Sequence, residues 1–225
     1  MNHKILEAVE HMLQTSPQLL RNSSLLKQAI IGTFDVEIVD VSFSNIGELV
    51  EKIDDAVLAR YFGNVWQPEM KKFKYSGLGL IDEINNLKPR KVLDIGCGYN
   101  EFKGKIDNLV GLDPYNPAAD IKCKISEYRT ETKYDAILAL GSINFGSTNK
   151  IYDELEVTVN LAAPGAIMYF RVNPGLQHTP PESKWIRFYP WNSNFIVNCA
   201  NNFGVDVLDI RNDSNNRMYF VWRKK

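Results

Sequence analysis

The sequence predicts an α/β fold: a seven-stranded, mainly parallel sheet with an antiparallel last strand, helices on both faces, and a mainly helical extension before it. Three observations predict it. Val92–Ile95 is a short apolar run, followed by the glycine turn Gly96-Cys97-Gly98, a polar stretch, and a second apolar run, Leu109–Leu112, that ends on Asp113. Strand, glycine loop, helix, strand, acid is the order of a βαβ unit whose strands are buried on both faces. Downstream, further strand-length apolar runs are separated by helical segments at 149–162 and 191–203. The last two runs are joined only by Arg211–Arg217, a polar, Asn-rich link with no room for a crossover helix, so the final strand must turn back antiparallel.

The 225 residues can bury a full core, as one domain with an extension or as a large and a small subdomain. A net charge of −1 argues against a basic face that grips duplex nucleic acid, so no duplex DNA partner is expected. Cys97, Cys123 and Cys199 show no C-x-x-C and no metal spacing, which points to free thiols, a reducing compartment and no metal site. The N-terminus has no signal-type apolar core and no apolar run is of membrane-spanning length, so a cytoplasmic protein without a membrane partner is expected.

Residues 1–88 read as the extension. Ile5, Leu6, Val9, Met12 and Leu13 form one helical face, broken at Thr15-Ser16-Pro17. Ser16 and Pro17 suit the start of a second helix that reaches about Ile31. Phe34–Phe43 alternates apolar and acidic residues and reads as a half-buried strand. Gly47–Phe62 is a third helix, with a stripe of Ile46, Leu49, Val50, Ile53, Val57 and Leu58, and Gly63 stops it. An aromatic loop with Trp66 precedes a Pro-started helix, Pro68–Leu87, that leads into the core.

Residues 89–225 read as the main domain. Its strands are expected at 91–95, 108–113, 120–124, 134–140, 166–172, 205–210 and 218–223, with a helix opening near Tyr99 or Asn100. Gly96 and Gly98 permit positive φ and carry no Cβ, so a ligand can approach the backbone closely. A dinucleotide fingerprint would place a third glycine where Glu101 stands. An acid there repels a pyrophosphate and suits a cationic ligand without phosphate. Asp113, ending the second strand, is placed to accept from ribose hydroxyls.

Val92–Gly98, V-L-D-I-G-C-G, with Asp113 after the second strand, resembles the class I S-adenosylmethionine (SAM)-dependent methyltransferases. The resemblance covers 89–225 and includes the reversed last strand of that Rossmann-like fold. It implies SAM as cofactor and a methyltransferase activity. The cofactor cradle it implies is Asp94, Gly96, Cys97, Gly98, Glu101 and Asp113, with Lys124 and Ile125 beside the adenine and Leu140 and Gly141 beside the methionine moiety. Lys124 departs from the acid usual in the family. Neither N-P-P-[YF] nor D-P-P-Y follows the fourth strand, where Gly141-Ser142-Ile143-Asn144-Phe145 stands, and no Pro-Cys pair occurs.

The acceptor expected is a small-molecule or nucleotide-like compound. His178, in a Pro- and Gly-rich loop after the fifth strand, is the candidate general base; a solvated loop histidine is the alternative. Trp66 and Tyr75 before the first strand, and Trp185 and Tyr189 in the aromatic, basic run 184–191, are candidate substrate residues. Packing of the N-terminal helices and of the loop accounts for the same rings. A SAM-binding protein, a SAM-using enzyme that does not methylate, and an RNA methyltransferase remain as alternatives.

Overall fold

The computed structural model describes residues 1–66, 78–174, 181–212 and 216–225. The chain divides into two compact units, residues 1–66 with 178–187, and residues 67–177 with 188–225.

The N-terminal unit holds three α-helices, α1 (His3–Thr15), α2 (Ser23–Phe34) and α3 (Ile46–Arg60). Ile5, Val9 and Leu13, four residues apart, are the buried face of α1. The second helix starts later than Ser16: Pro17–Arg21 is a 3-10 turn, and Asn22 begins α2 by accepting the Ser24 and Leu25 amides. Helix α3 is capped by Asn45, which accepts the Glu48 amide, while Glu48 reaches back to the Ser44 amide at 2.8 Å. Its buried residues are Leu49, Val50, Ile53, Val57 and Leu58, the expected stripe.

The strand expected at Phe34–Phe43 does not form. Phe34 is the last residue of α2, and Asp35 turns left-handed at φ 56° to end it. Phe34 and Val36 are buried in phase with the alternation, but Val41 is buried out of phase and Val39 is exposed. Among the described residues no strand pairs with this segment, and Asp40 instead closes a turn on the Ser42 amide and pairs with Lys52 at 3.0 Å.

In the second unit, among the described residues, six strands form one sheet in the order β2-β1-β3-β4-β6-β5. They are β1 (Val92–Ile95), β2 (Leu109–Leu112), β3 (Tyr134–Leu140), β4 (Ala162–Val172), β5 (Val205–Asn212) and β6 (Met218–Lys224). β1, β2, β3 and β4 pair in parallel; β6 is antiparallel to both β4 and β5. The reversed last strand is therefore present, inserted between β4 and β5.

The seventh strand expected at 120–124 is reduced to one bridge, Leu112 with Ile121, on the outer edge of β2. Ile121 exchanges backbone bonds with Gly111 and Asp113, but the Asp120 carboxylate takes the Gly111 amide at 2.8 Å in place of a ladder carbonyl. The chain then enters a 3-10 turn at Ile125–Glu127.

Opposite faces of the sheet carry separate apolar clusters. Leu93, Ile137, Met168, Phe170, Phe220 and Trp222 pack with residues of α5 (Thr148–Leu161) and α6 (Ser193–Phe203). Val92, Ala136, Leu138, Tyr169 and Val221 pack with Leu80 and Ile84 of α4 (Leu80–Asn86). Of the long helix expected at Pro68–Leu87, residues 78–87 are described: Leu78 and Gly79 form a turn, and α4 runs only from Leu80 to Asn86.

Candidate functional site

The glycine turn follows β1 at the carboxyl end of the parallel strands, where ligands sit in open α/β sheets. Gly96 and Gly98 adopt φ 69° and 53°, the conformation for which glycine is suited. A Cβ on Gly96 would stand 2.2 Å from Ser142 Cβ, so the turn after β1 and the turn after β3 touch through the missing side chain.

No helix follows this turn. Residues 97–108 form successive tight turns, with Asn100, Gly104 and Asn108 also at positive φ. Left-handed residues at that frequency interrupt any right-handed helix. The site thus lacks the helix N-terminus that the sequence suggests, and Glu101 is an exposed turn residue. Asn100 holds the turns in place. Its amide donates to Ala118 O at 3.0 Å and Asp120 Oδ2 at 3.3 Å.

Carboxylates dominate the cradle. Asp94 is 3% exposed in the middle of β1. Burial and the neighbouring Asp113 charge push its carboxyl up to about 7. Asp113, immediately after β2, is buried; its Oδ2 accepts the Gly98 amide at 3.0 Å, and its Oδ1 accepts the Tyr115 and Asn116 amides at 2.8 Å each. Asp120 is held below the ordinary carboxylate range by the Gly111 amide and by Lys103 at 2.7 Å. Cys97 is pushed up to about 12 by burial and by these three acids, so its thiol stays protonated and is no nucleophile. A donor set of this kind, carboxylates without a phosphate-binding helix terminus, fits a cation-bearing ligand such as SAM.

Asp94, Gly96, Cys97, Gly98 and Asp113 are thus brought together, and Gly141 joins them through Ser142. Lys124 and Ile125 open the 3-10 turn beyond the Ile121 bridge; Ile125 is buried in the same cluster as Leu112 and Ile143, and the Lys124 carbonyl accepts the Glu127 and Tyr128 amides. Leu140 ends β3, and Gly141 turns the chain at φ 121°.

The substrate candidates are dispersed. Trp66 and Trp185 belong to the N-terminal unit, where Trp66 lies 6.2 Å from Phe62 and Trp185 packs edge-on against Phe34 at 4.8 Å. Lys4, Glu7, Ala8, Lys184 and Trp185 line a cleft of about 500 Å³ in that unit. Tyr189 is only 7% exposed, its ring lodged against Trp191 and Phe195, so its buried face serves the core of the sheet unit. Tyr75 and His178 lie outside the described residues.

Ser142 and Asn144 carry more of this site than their sequence context signals. Ser142 Oγ donates to Ile95 O at 2.6 Å, and buried Asn144 joins the turn after β3 to Asn173, just beyond β4. Their one sequence signal is position, directly after a parallel strand.

Neither a protein-family model nor a curated protein matches the sequence. Solved structures do resemble it. A Burkholderia thailandensis 1,6-didemethyltoxoflavin-N1-methyltransferase, solved with its substrate and S-adenosylhomocysteine (SAH), superposes with a TM-score of 0.59 at 14% identity, over 84% of this chain and 95% of its own. The fold is that of the class I SAM-dependent methyltransferases. A magnesium protoporphyrin IX methyltransferase from Synechocystis PCC 6803, with bound SAM, gives 0.56 at 12% identity over 76% and 97%. The N-methyltransferase NodS from Bradyrhizobium japonicum WM9, with SAH, gives 0.53 at 12% over 76% and 97%. Among the described residues, no helix is long and apolar enough to cross a membrane, and no cluster of His, Cys, Asp and Glu could hold a metal.

Proposed function

We propose that this chain is a SAM-dependent methyltransferase acting on a small-molecule or nucleotide-like acceptor. The observation that carries the reading is the pairing of Asp94 and Asp113 around a positive-φ glycine turn at the carboxyl end of the parallel strands. Two carboxylates in low dielectric leave a surplus of negative potential that a sulfonium and an ammonium relieve. SAM supplies, when bound, a methyl group activated on sulfur. Asp94 is suited to compensate its positive charge, and Asp113 Oδ2 to accept a ribose hydroxyl. Gly96 lets the turn close on Ser142, Gly98 brings its amide to Asp113, and Ile125 is suited to offer its main chain to the adenine where Lys124 replaces the usual acid.

Methyl transfer is an in-line displacement, so orientation of the two reactants provides much of the acceleration. A general base is required only for a weakly acidic acceptor, and His178 is the candidate for that role. We assign donor binding to residues 89–225 and name Trp66, Tyr75, Trp185 and Tyr189 as the candidates for acceptor selection. The run 184–191 is aromatic and basic, which would suit a planar acceptor. The same chemistry would suit an RNA base, so RNA is kept as an acceptor to be tested.

Calorimetry with SAM, SAH and NAD tests the donor. Binding of SAM and SAH but not NAD is expected, and no binding of the first two overturns the reading. Incubation with methyl-labelled SAM and fractionated small molecules or RNA then separates a transferase from a protein that only binds SAM.

A further inference from the structure

We propose that Asn144 is a positioning residue that transmits occupancy of the donor cradle to Asn173, just beyond β4, and to the segment 188–191; this rests on the SAM reading above. Asn144 is 1% exposed, and each of its polar groups is committed. Its main-chain amide donates to Ser142 O at 3.0 Å. Its side-chain Nδ2 donates to Gly141 O at 2.8 Å, closing the turn after β3. Its Oδ1 accepts the Asn173 amide at 2.7 Å, one residue beyond β4. Its carbonyl accepts the Tyr189 amide at 2.8 Å, and the neighbouring Ile143 carbonyl accepts the Trp191 indole N–H at 3.2 Å.

The donor side of this node is equally definite. Ser142 Oγ donates to Ile95 O at 2.6 Å, and Ser142 Cβ occupies the space that a side chain on Gly96 would need. A continuous path therefore runs from the glycine turn through Ser142 and Asn144 to Asn173 and Tyr189. It joins segments 47, 29 and 45 residues apart in sequence. Phe145 and Phe188 extend it by an antiparallel bridge and an edge-on ring contact at 5.4 Å.

Buried hydrogen bonds of this kind offer little slack, because an unmade bond leaves a desolvated donor or acceptor. A ligand that presses on the Gly96 turn displaces Ser142, and Asn144 moves Asn173 and Tyr189 with it. Those two segments leave the carboxyl end of the sheet, where an acceptor must meet the methyl group. Asn144 contacts no reacting atom on this account. It sets the geometry of main chain that does.

The test is amide hydrogen exchange read residue by residue by NMR, with SAH as probe, on wild type, N144A, N144D and S142A. In wild type, SAH slows exchange at Asn173 and Tyr189 as well as at Cys97 and Gly98. In N144A, Asn173 exchanges at least about tenfold faster without ligand and no longer responds to SAH, whereas Tyr189, held by the main-chain carbonyl of residue 144, keeps its basal protection and Cys97 and Gly98 still respond to SAH. N144D retains an acceptor for the Asn173 amide and restores its basal protection. S142A keeps basal protection at Asn173 and loses the SAH response there, which keeps the idea testable if N144A does not fold. SAH binding that leaves Asn173 and Tyr189 unaffected in wild type, or affects Asn173 equally in N144A or S142A, overturns the coupling alone. Failure of wild type to bind SAH removes the donor reading and the coupling with it.

Discussion

The Gly98 amide donates to Asp113 Oδ2 at 3.0 Å and so ties the glycine turn after β1 to the carboxylate after β2. The opposite oxygen of Asp113 already accepts the Tyr115 and Asn116 amides. An ionised carboxylate offers about four lone-pair directions, and three are used by main chain. One ribose hydroxyl can therefore bind at Oδ2 without rearrangement. A second needs the Gly98 amide to yield.

Asp113→Asn and Asp113→Ala should accordingly separate two roles. Both weaken SAH binding, by roughly 1–3 kcal/mol, which is about 5- to 150-fold in Kd. Only the alanine variant also removes every side-chain acceptor of the three amides, so it alone loses substantial thermal stability. Calorimetry for SAH and a thermal melt of the free protein measure the two effects. Wild-type SAH affinity in both variants would place the ribose elsewhere.

Gly96 and Gly104 form a matched pair for testing the close approach of the glycine turn to Ser142. Both adopt left-handed φ, 69° and 74°, but only Gly96 faces a neighbour, Ser142, while a Cβ on Gly104 meets open space. Gly104→Ala should cost only the conformational penalty, about 1 kcal/mol or a few degrees in Tm, with SAH binding intact. Gly96→Ala adds overpacking of roughly 1–3 kcal/mol and should abolish measurable SAH binding. Equal behaviour of the two variants would show that the Gly96–Ser142 contact does not shape the cradle.

The contrast between what could and could not be read from residue order lies in the range of the forces involved. β1, β2 and the closing hairpin were legible because a buried apolar run and a link too short for a helix constrain topology locally. The left-handed glycines after β1 and the buried carboxylate after β2 were legible for the same reason, since turn chemistry and a strand end are local facts. The edge strand at 120–124 was not, because a single side chain, Asp120, takes the Gly111 amide that a ladder would have used. Phe34–Phe43 has the alternation of a strand, yet strand formation needs a partner, and periodicity does not reveal one. The helix expected after Gly98 failed through Asn100 and Asn108, whose left-handed φ is compatible with Asn but not dictated by it. Asn144 was illegible as a node, because its bonds reach Asn173 and Tyr189 across the fold.

Tyr169 offers a test of structural against chemical roles. It is 1% exposed on the α4 face of β4, and its hydroxyl donates to Glu83 Oε1 at 2.9 Å. Burial and the Glu83 carboxylate push its phenol well above the usual range, so it stays protonated and cannot serve as a base near neutrality. Tyr169→Phe should lower stability by about 1–2 kcal/mol, since Glu83 loses a charge-assisted bond, and leave SAH affinity unchanged. Loss of SAH binding without loss of stability would contradict this.

Asp94 should make both stability and ligand affinity depend on pH. Its carboxyl is raised from 3.8 to about 7 in the folded chain, mainly by burial and next by Asp113. Between those values the folded state holds a proton that the unfolded state has released. The corresponding stabilisation is complete at low pH, declines as pH rises above about 4, and is lost by about pH 8. At roughly 1.4 kcal/mol per unit, the wild type should lose up to about 4 kcal/mol over this window relative to Asp94→Asn, whose amide does not titrate. Denaturant unfolding at a series of pH values, taken as the difference between the two proteins, isolates the contribution. A bound cation reverses the preference, because it stabilises the carboxylate and lowers its pKa. SAM binding to the wild type should therefore release a proton and strengthen by about tenfold from about pH 6 to about pH 8, beyond any change seen in Asp94→Asn. Calorimetry in buffers of different ionisation enthalpy counts that proton. Identical pH profiles for the two proteins would mean that Asp94 does not face the charge of the ligand.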